Sequence, residues 1–137
     1  MAINNFSTDL FVVNVNGRTI DSWGESDPPY TDSEIDPHSV LRRGLGGSAV
    51  RLDRINPGRS VTLNLQPGSP DSEFMSTLMG SKANITLGVR QVGTLEAWLG
   101  TEGIIVSRGE HGRGGQTITD DSWTCEFNIF EGTSGGT

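Results

Sequence analysis

The sequence predicts a mainly β domain, a β-sandwich or small barrel with one flanking α-helix and only a minor α component. Three observations carry that prediction. Val, Ile, Leu and Thr alternate with short polar residues in brief runs such as Arg59–Leu65, "RSVTLNL", the period of a half-buried strand. Glycine is abundant, at 19 of 137 residues, and punctuates those runs. One stretch only, near residues 69–80, carries apolar residues at helical spacing. A chain of 137 residues fits one domain that buries about two-thirds of its unfolded surface, so a single domain is expected over 1–137.

The elements follow in order. "DLFVVNV", Asn16-Gly17 and "RTIDSW" form a hairpin signal, because Asn-Gly supplies both φ > 0 positions of a type I′ turn. Residues 24–46 then break the alternation with Glu25, Asp27, Asp32, Glu34 and Asp36, three prolines, and the pair Arg42-Arg43. Proline forbids a central strand, and so long a connection is uncommon unless it has a use. The region reads either as a surface loop or as an extended arm, with a short strand near Tyr30–Ile35, that orders against a neighbouring subunit. "GSAVRLDRI", the turn Asn56-Pro57-Gly58 and "RSVTLNL" read as a second hairpin. Ser69 is placed to cap a helix, Pro70 suits its first position, and Asp71 and Glu73 suit its positive end. Phe74, Met75, Leu78 and Met79 form its apolar stripe, and Gly80 reads as its stop. "ANITLGVR", "GTLEAWLG", "EGIIVS" and "DSWTCEFNIFEG" read as further strands. Residues 108–121 read as a mobile glycine-rich loop and 132–137 as a flexible tail.

Charge narrows the function. The net charge is −7 and the pI about 4.6, the opposite of what gripping phosphates requires. Nine of the ten basic residues are Arg, the better interface cation. Cys125 is the single cysteine, so an internal disulfide is impossible; alternation with Trp123, Phe127 and Ile129 reads it as a small buried residue. The N-terminus lacks a basic start and a long apolar run, so no signal peptide is expected. No segment approaches the roughly 20 apolar residues of a membrane span. Asn84-Ile85-Thr86 matches a glycosylation sequon by chance in that setting. His38 and His111 stand in loops without ligands at metal spacing. No G-x-S-x-G elbow or phosphate loop occurs, and Asp120-Asp121 reads as a solvated turn. The chain is therefore expected not to be an enzyme, with no catalytic, cofactor or metal residue.

The strands carry a second pattern on the face opposite their apolar residues. Ser60, Thr62 and Asn64, then Asn84 and Thr86, then Thr124, Glu126 and Asn128 are short, hydroxyl- or amide-bearing, and carry one charge, which is acidic. Such a surface offers phosphates no cation and bases no aromatic platform. It reads either as the plain outer face of a sandwich or as a surface over which something slides.

At this point the order of features resembles the tail tube proteins of contractile-tailed bacteriophages. "NVNGRTIDSWGE" is similar to the family's opening hairpin, "GLGGSAVRLDRINPGRSVTLNLQPGSPDSEFMSTLM" to its central block, and "SWTCEFNIFEG" to its final strand. The resemblance covers nearly the whole chain and rests on pattern, not on catalytic motifs. It implies a virion protein of the tail, assembled in the host bacterial cytoplasm. Six subunits would form a ring, rings would stack into a hollow tube, and DNA would leave through the bore without being bound. The implied partners are other copies of the chain, the tail sheath, the baseplate and the tail terminator, with no membrane. Under this reading the eight short polar residues named above line the lumen. Glu25, Asp27, Asp32, Glu34, Asp36, Arg42 and Arg43 form an inter-subunit arm. The alternative is a soluble β-sandwich that binds a ligand such as a carbohydrate, for which Tyr30 and Trp98 are the candidate platforms.

Overall fold

A computed structural model describes residues 10–134. Nine strands and one helix follow in the order β1 (Phe11–Val15), β2 (Arg18–Ile20), β3 (Tyr30–Glu34), β4 (Ser39–Arg43), β5 (Ala49–Asp53), β6 (Arg59–Leu65), α1 (Pro70–Ser81), β7 (Ile85–Gln91), β8 (Ala97–Arg108) and β9 (Asp121–Thr133). Seven strands make one antiparallel sheet in the order β2-β1-β7-β8-β9-β6-β3, and β4 and β5 pair separately. The Asn16-Gly17 turn has both φ values positive, at 50° and 85°, as its sequence predicts.

The sheet curls until it closes. Beyond β2 the chain crosses to the edge of β6: Gly24 N–H donates to Asn64 O at 3.0 Å, Gln66 N–H donates to Ser22 O at 2.8 Å, and Trp23 bridges Leu65. The opposite wall of the core is thus the same sheet, not the second packed sheet that the apolar faces alone suggest. Closure covers one end of the β6 edge, and the outer edge of β3 takes no strand partner among the described residues. Inside lie the alternate residues that the patterning predicts, among them Val13, Val61, Leu63, Leu87, Trp123, Cys125 and Phe127, all buried. Cys125 is one of them, and burial pushes its thiol up to about 12, so it stays protonated and inert.

The helix begins as predicted. Ser69 accepts a hydrogen bond from Ser72 N–H at 3.2 Å, and Pro70 opens the first turn. It ends two residues beyond Gly80, at Lys82, which takes the left-handed conformation with φ 56°. Met75 is fully buried, while Phe74, Leu78 and Met79 pack against the core edge. Asp71 of the first turn is not a solvated dipole partner but a hub. It receives Arg18 Nε at 2.8 Å and the N–H groups of Asp21 and Ser22 at 3.0 and 2.9 Å. Burial pushes its pKa up, yet those donors outweigh burial and hold it at about 2.

Several expectations change. Residues 49–53 do not form a hairpin with β6. They pair with β4, Val40 opposite Leu52 and Arg42 opposite Val50, around the turn Gly44–Gly47. β6 instead takes β9 and β3 as neighbours; β3 is the short strand expected near Tyr30–Ile35, and β4 is an unexpected second strand in 24–46. "GTLEAWLG" and "EGIIVS" are one strand, β8, bulged where Glu102 adopts φ 53° and the register to β7 shifts. Asp121 is buried, not solvated: it accepts Ser72 Oγ at 2.5 Å, Arg108 at 3.1 Å and Arg113 at 3.0 Å. Arg113 also donates to Thr119 O at 3.1 Å, so the glycine-rich loop is strapped to the start of β9. β9 runs through Thr133, which absorbs the first two residues of the expected tail; residues 135–137 lie outside the described residues.

Candidate functional site

The outer wall of the barrel holds the short polar residues. On β6 and β9 they stand side by side: Ser60 opposite Glu126, Thr62 opposite Thr124, and Asn64 opposite Ser122. β3 continues the patch with Thr31 opposite Thr62 and Ser33 opposite Ser60. Sequence reasoning missed Thr31, Ser33 and Ser122. The alternation of "YTDSE" was the available signal for the first two.

Of the other expected members, Asn128 continues the outward row of β9 beyond Glu126, while Asn84 and Thr86 lie apart from the patch. Thr86 lies on β7, with Asn84 just before it, and β8 runs between β7 and β9. Thr86 N–H donates to Asn16 Oδ1 at 2.8 Å and so serves the first hairpin's turn. Asn128 is on β9 but donates to Glu102 Oε2 at 2.9 Å, beside the β8 bulge. The outer face of β8 exposes Leu99, Ile104 and Val106, so an apolar stripe separates two polar regions.

The residues expected to form the arm divide in two. Asp32 and Glu34 work within the subunit: Arg59 Nε donates to Asp32 Oδ1 at 2.8 Å, and Arg59 stands 4.0 Å from Glu34. They lock β3 onto β6; burial, and after it Asp32, raises the Tyr30 phenol. Glu25, Asp27, Asp36, Arg42 and Arg43 join no ion pair among the described residues. Asp120 ties down the root of the arm, accepting Ser26 N–H and Ser26 Oγ, each at 2.8 Å. Burial opposes its charge, but those bonds lower its pKa.

Beyond that root the β4–β5 hairpin stands clear of the barrel, exposed at every residue. Its cross-strand pairs place Val40, Leu52 and Val50 on one face, uncovered, and Leu45 is fully exposed at its tip. On the barrel, Phe11, Trp23, Pro28, Pro29 and Tyr30 line a groove of about 670 Å³ with Glu25 and Asp27 on its rim. The groove is the seam of the barrel, where the start of β1 meets the segment that crosses to β6. Phe11 closes its floor, 6.2 Å from the Trp23 ring and 5.3 Å from the Tyr30 ring. Among the described residues no cluster of three His, Cys, Asp or Glu side chains has metal-binding geometry, and no helix is long and apolar enough to cross a membrane.

No family model matches the chain, and no curated protein matches its sequence. Solved structures do match its shape. A chain from the PVC extracellular contractile injection system's sheath/tube terminator in the extended state superposes with TM-score 0.58 at 14% identity, over 98% of this chain and 100% of that one. A chain of the same system's sheath-tube complex gives 0.56 at 16% identity, over 94% and 93%. Hcp1 from Flavobacterium johnsoniae gives 0.51 at 12% identity, over 89% and 93%. At such identities the likeness is one of fold: the chain has the fold that these injection-system and Hcp1 chains share.

Proposed function

We propose that the chain is a structural subunit of a bacteriophage tail tube: rings, six copies each, stack into a hollow tube that conducts DNA during ejection. The observation that supports this most is the end-to-end match, 98% of this chain against 100% of a terminator-structure chain. The exposed hairpin and the outer edge of β3, which among the described residues pairs with β6 alone, fit a molecule completed by neighbours. Heterologous contacts of that type close as rings or propagate as filaments, and a tube uses both. The same reading makes sheath, baseplate and terminator proteins its partners, the virion tail its place after assembly in the host cytoplasm, and catalysis no part of its task. The bore lies over the β3–β6–β9 patch, where Thr62 and Thr124 offer a sliding polyanion no cation. Glu126 repels phosphates within about 8 Å at physiological salt.

Electron microscopy of the purified chain tests the proposal: rings or tubes with an open bore are expected, and a monodisperse monomer at all concentrations removes it. For the lumen, Thr62→Lys is expected to leave assembly intact and slow genome ejection. Ejection at the normal rate from such particles removes that assignment.

A further inference from the structure

A two-stranded hairpin alone is marginal in water. β4–β5 has no third strand and no helix beneath it, yet carries Val40, Val50 and Leu52 on one face and Leu45 at its tip, all exposed. An apolar surface of this kind marks a docking element. Its charge identifies the partner. Residues 38–54 hold Arg42, Arg43, Arg51 and Arg54 against the carboxylate of Asp53, a net +3 on a chain of −7, which leaves −10 on the rest. The hairpin is a cationic projection from an anionic body, and the surface that complements it is the body of another copy.

One place on that body answers both features. The seam groove is apolar within, from Phe11, Trp23, Pro28 and Tyr30, and acidic at the rim, from Glu25 and Asp27. At about 670 Å³ it has room for the whole turn Arg43–Gly47 with its leucine. We propose that the β4–β5 tip of one copy seats Leu45 in the seam groove of a second copy, with Arg42 and Arg43 paired to Glu25 and Asp27. This deepens the tube reading, on which it rests in taking the neighbour to be the same chain. Tip and groove lie at different places on one molecule, so the contact is head-to-tail and passes from copy to copy. Charge pairs at the rim set register and approach; the leucine in its pocket supplies the hold.

Two cysteine variants, Leu45→Cys and Glu25→Cys, are prepared separately, mixed and oxidised, so that a mixed disulfide reports tip against groove between molecules. The native thiol of Cys125 is buried and stays silent. A mixed dimer as the main product, well above the homodimers of either variant alone, is expected. In parallel, Arg42→Glu with Arg43→Glu is expected to raise the concentration needed for assembly by about tenfold or more, and adding Glu25→Arg with Asp27→Arg to restore it. Rings or tubes with no mixed disulfide and no effect of charge reversal overturn the tip-in-groove contact and leave the tube reading standing. A mixed disulfide without rings or tubes supports the contact and overturns the tube reading. Neither product overturns both.

Discussion

The barrel wall and the β4–β5 hairpin are built from the same antiparallel pairing, and they are held in different ways. In the wall every strand but β3 contributes buried residues, and three carboxylates are answered within the subunit: Asp71 by Arg18, Asp121 by Arg108 and Arg113, and Asp32 by Arg59. In the hairpin no residue is buried, and its one ion pair, Arg51 with Asp53, stands in solvent with side chains 72% and 58% exposed. The wall is complete as a subunit. The hairpin is complete only with something laid against it. One chain thus closes a core of its own and still leaves a surface uncovered.

That contrast breaks first, if it is wrong, in the hydrophobic residues. Phe127→Ala is expected to cost about 3–5 kcal/mol of subunit stability in denaturant melts, because the ring is buried against Gly100 and Gly103. Leu52→Ala, of comparable chemistry on the hairpin, is expected to cost less than about 0.5 kcal/mol. A core-sized loss at Leu52 would make the hairpin part of the subunit's own core.

Ion pairs sharpen the comparison at a smaller scale. Asp71→Asn removes the charge that draws Arg18 and two backbone N–H groups, and a loss of about 2 kcal/mol is expected in urea melts. Arg51→Gln breaks the exposed pair and is expected to change stability by less than about 0.5 kcal/mol. Equal effects of the two would erase the distinction between wall and hairpin.

The smallest expected effect is in acid. Asp71, Asp120 and Asp121 all have pKa values lowered on folding. The stability they contribute is complete above the unfolded value of about 3.9. It is lost as pH falls through that value, toward about 2 for Asp71. Thermal melts between pH 5 and 3 are expected to show the melting temperature falling with pH, and falling about 3 °C less in Asp71→Asn than in the unaltered chain. Parallel slopes would show that Asp71 does not carry the acid sensitivity.

The same contrast explains what the sequence discloses. Where one face is buried, alternation betrays the strand, and β1, β6, β7 and β9 are legible for that reason. The Asn16-Gly17 turn and the Ser69-Pro70 cap are legible because local geometry demands those residues. β4 is not, because with both faces in solvent nothing forces "SVLRR" into alternation; β5 is read as a strand within "GSAVRLDRI", but the neighbouring Asn56-Pro57-Gly58 advertises the wrong partner for it. Asp121 was misread because its neighbour Asp120 and the glycines before it signal a turn, while its partners, Ser72, Arg108 and Arg113, arrive from 49, 13 and 8 residues away. The polar wall was legible residue by residue, but its layout was not, since strand order decides that β8 divides it.

The path of the chain along β6 has a consequence for how such molecules diverge. Residues 22–24 occupy one end of that edge and β3 the other. Residues 25–28 swing outward between two moorings that the barrel needs anyway. The seam is thus a detour in the thread, and a detour can be lengthened, shortened or recoloured while the vessel keeps its form. Lineages that share this fold with little common sequence have, in that short excursion, a cheap place to change whom they accept as kin.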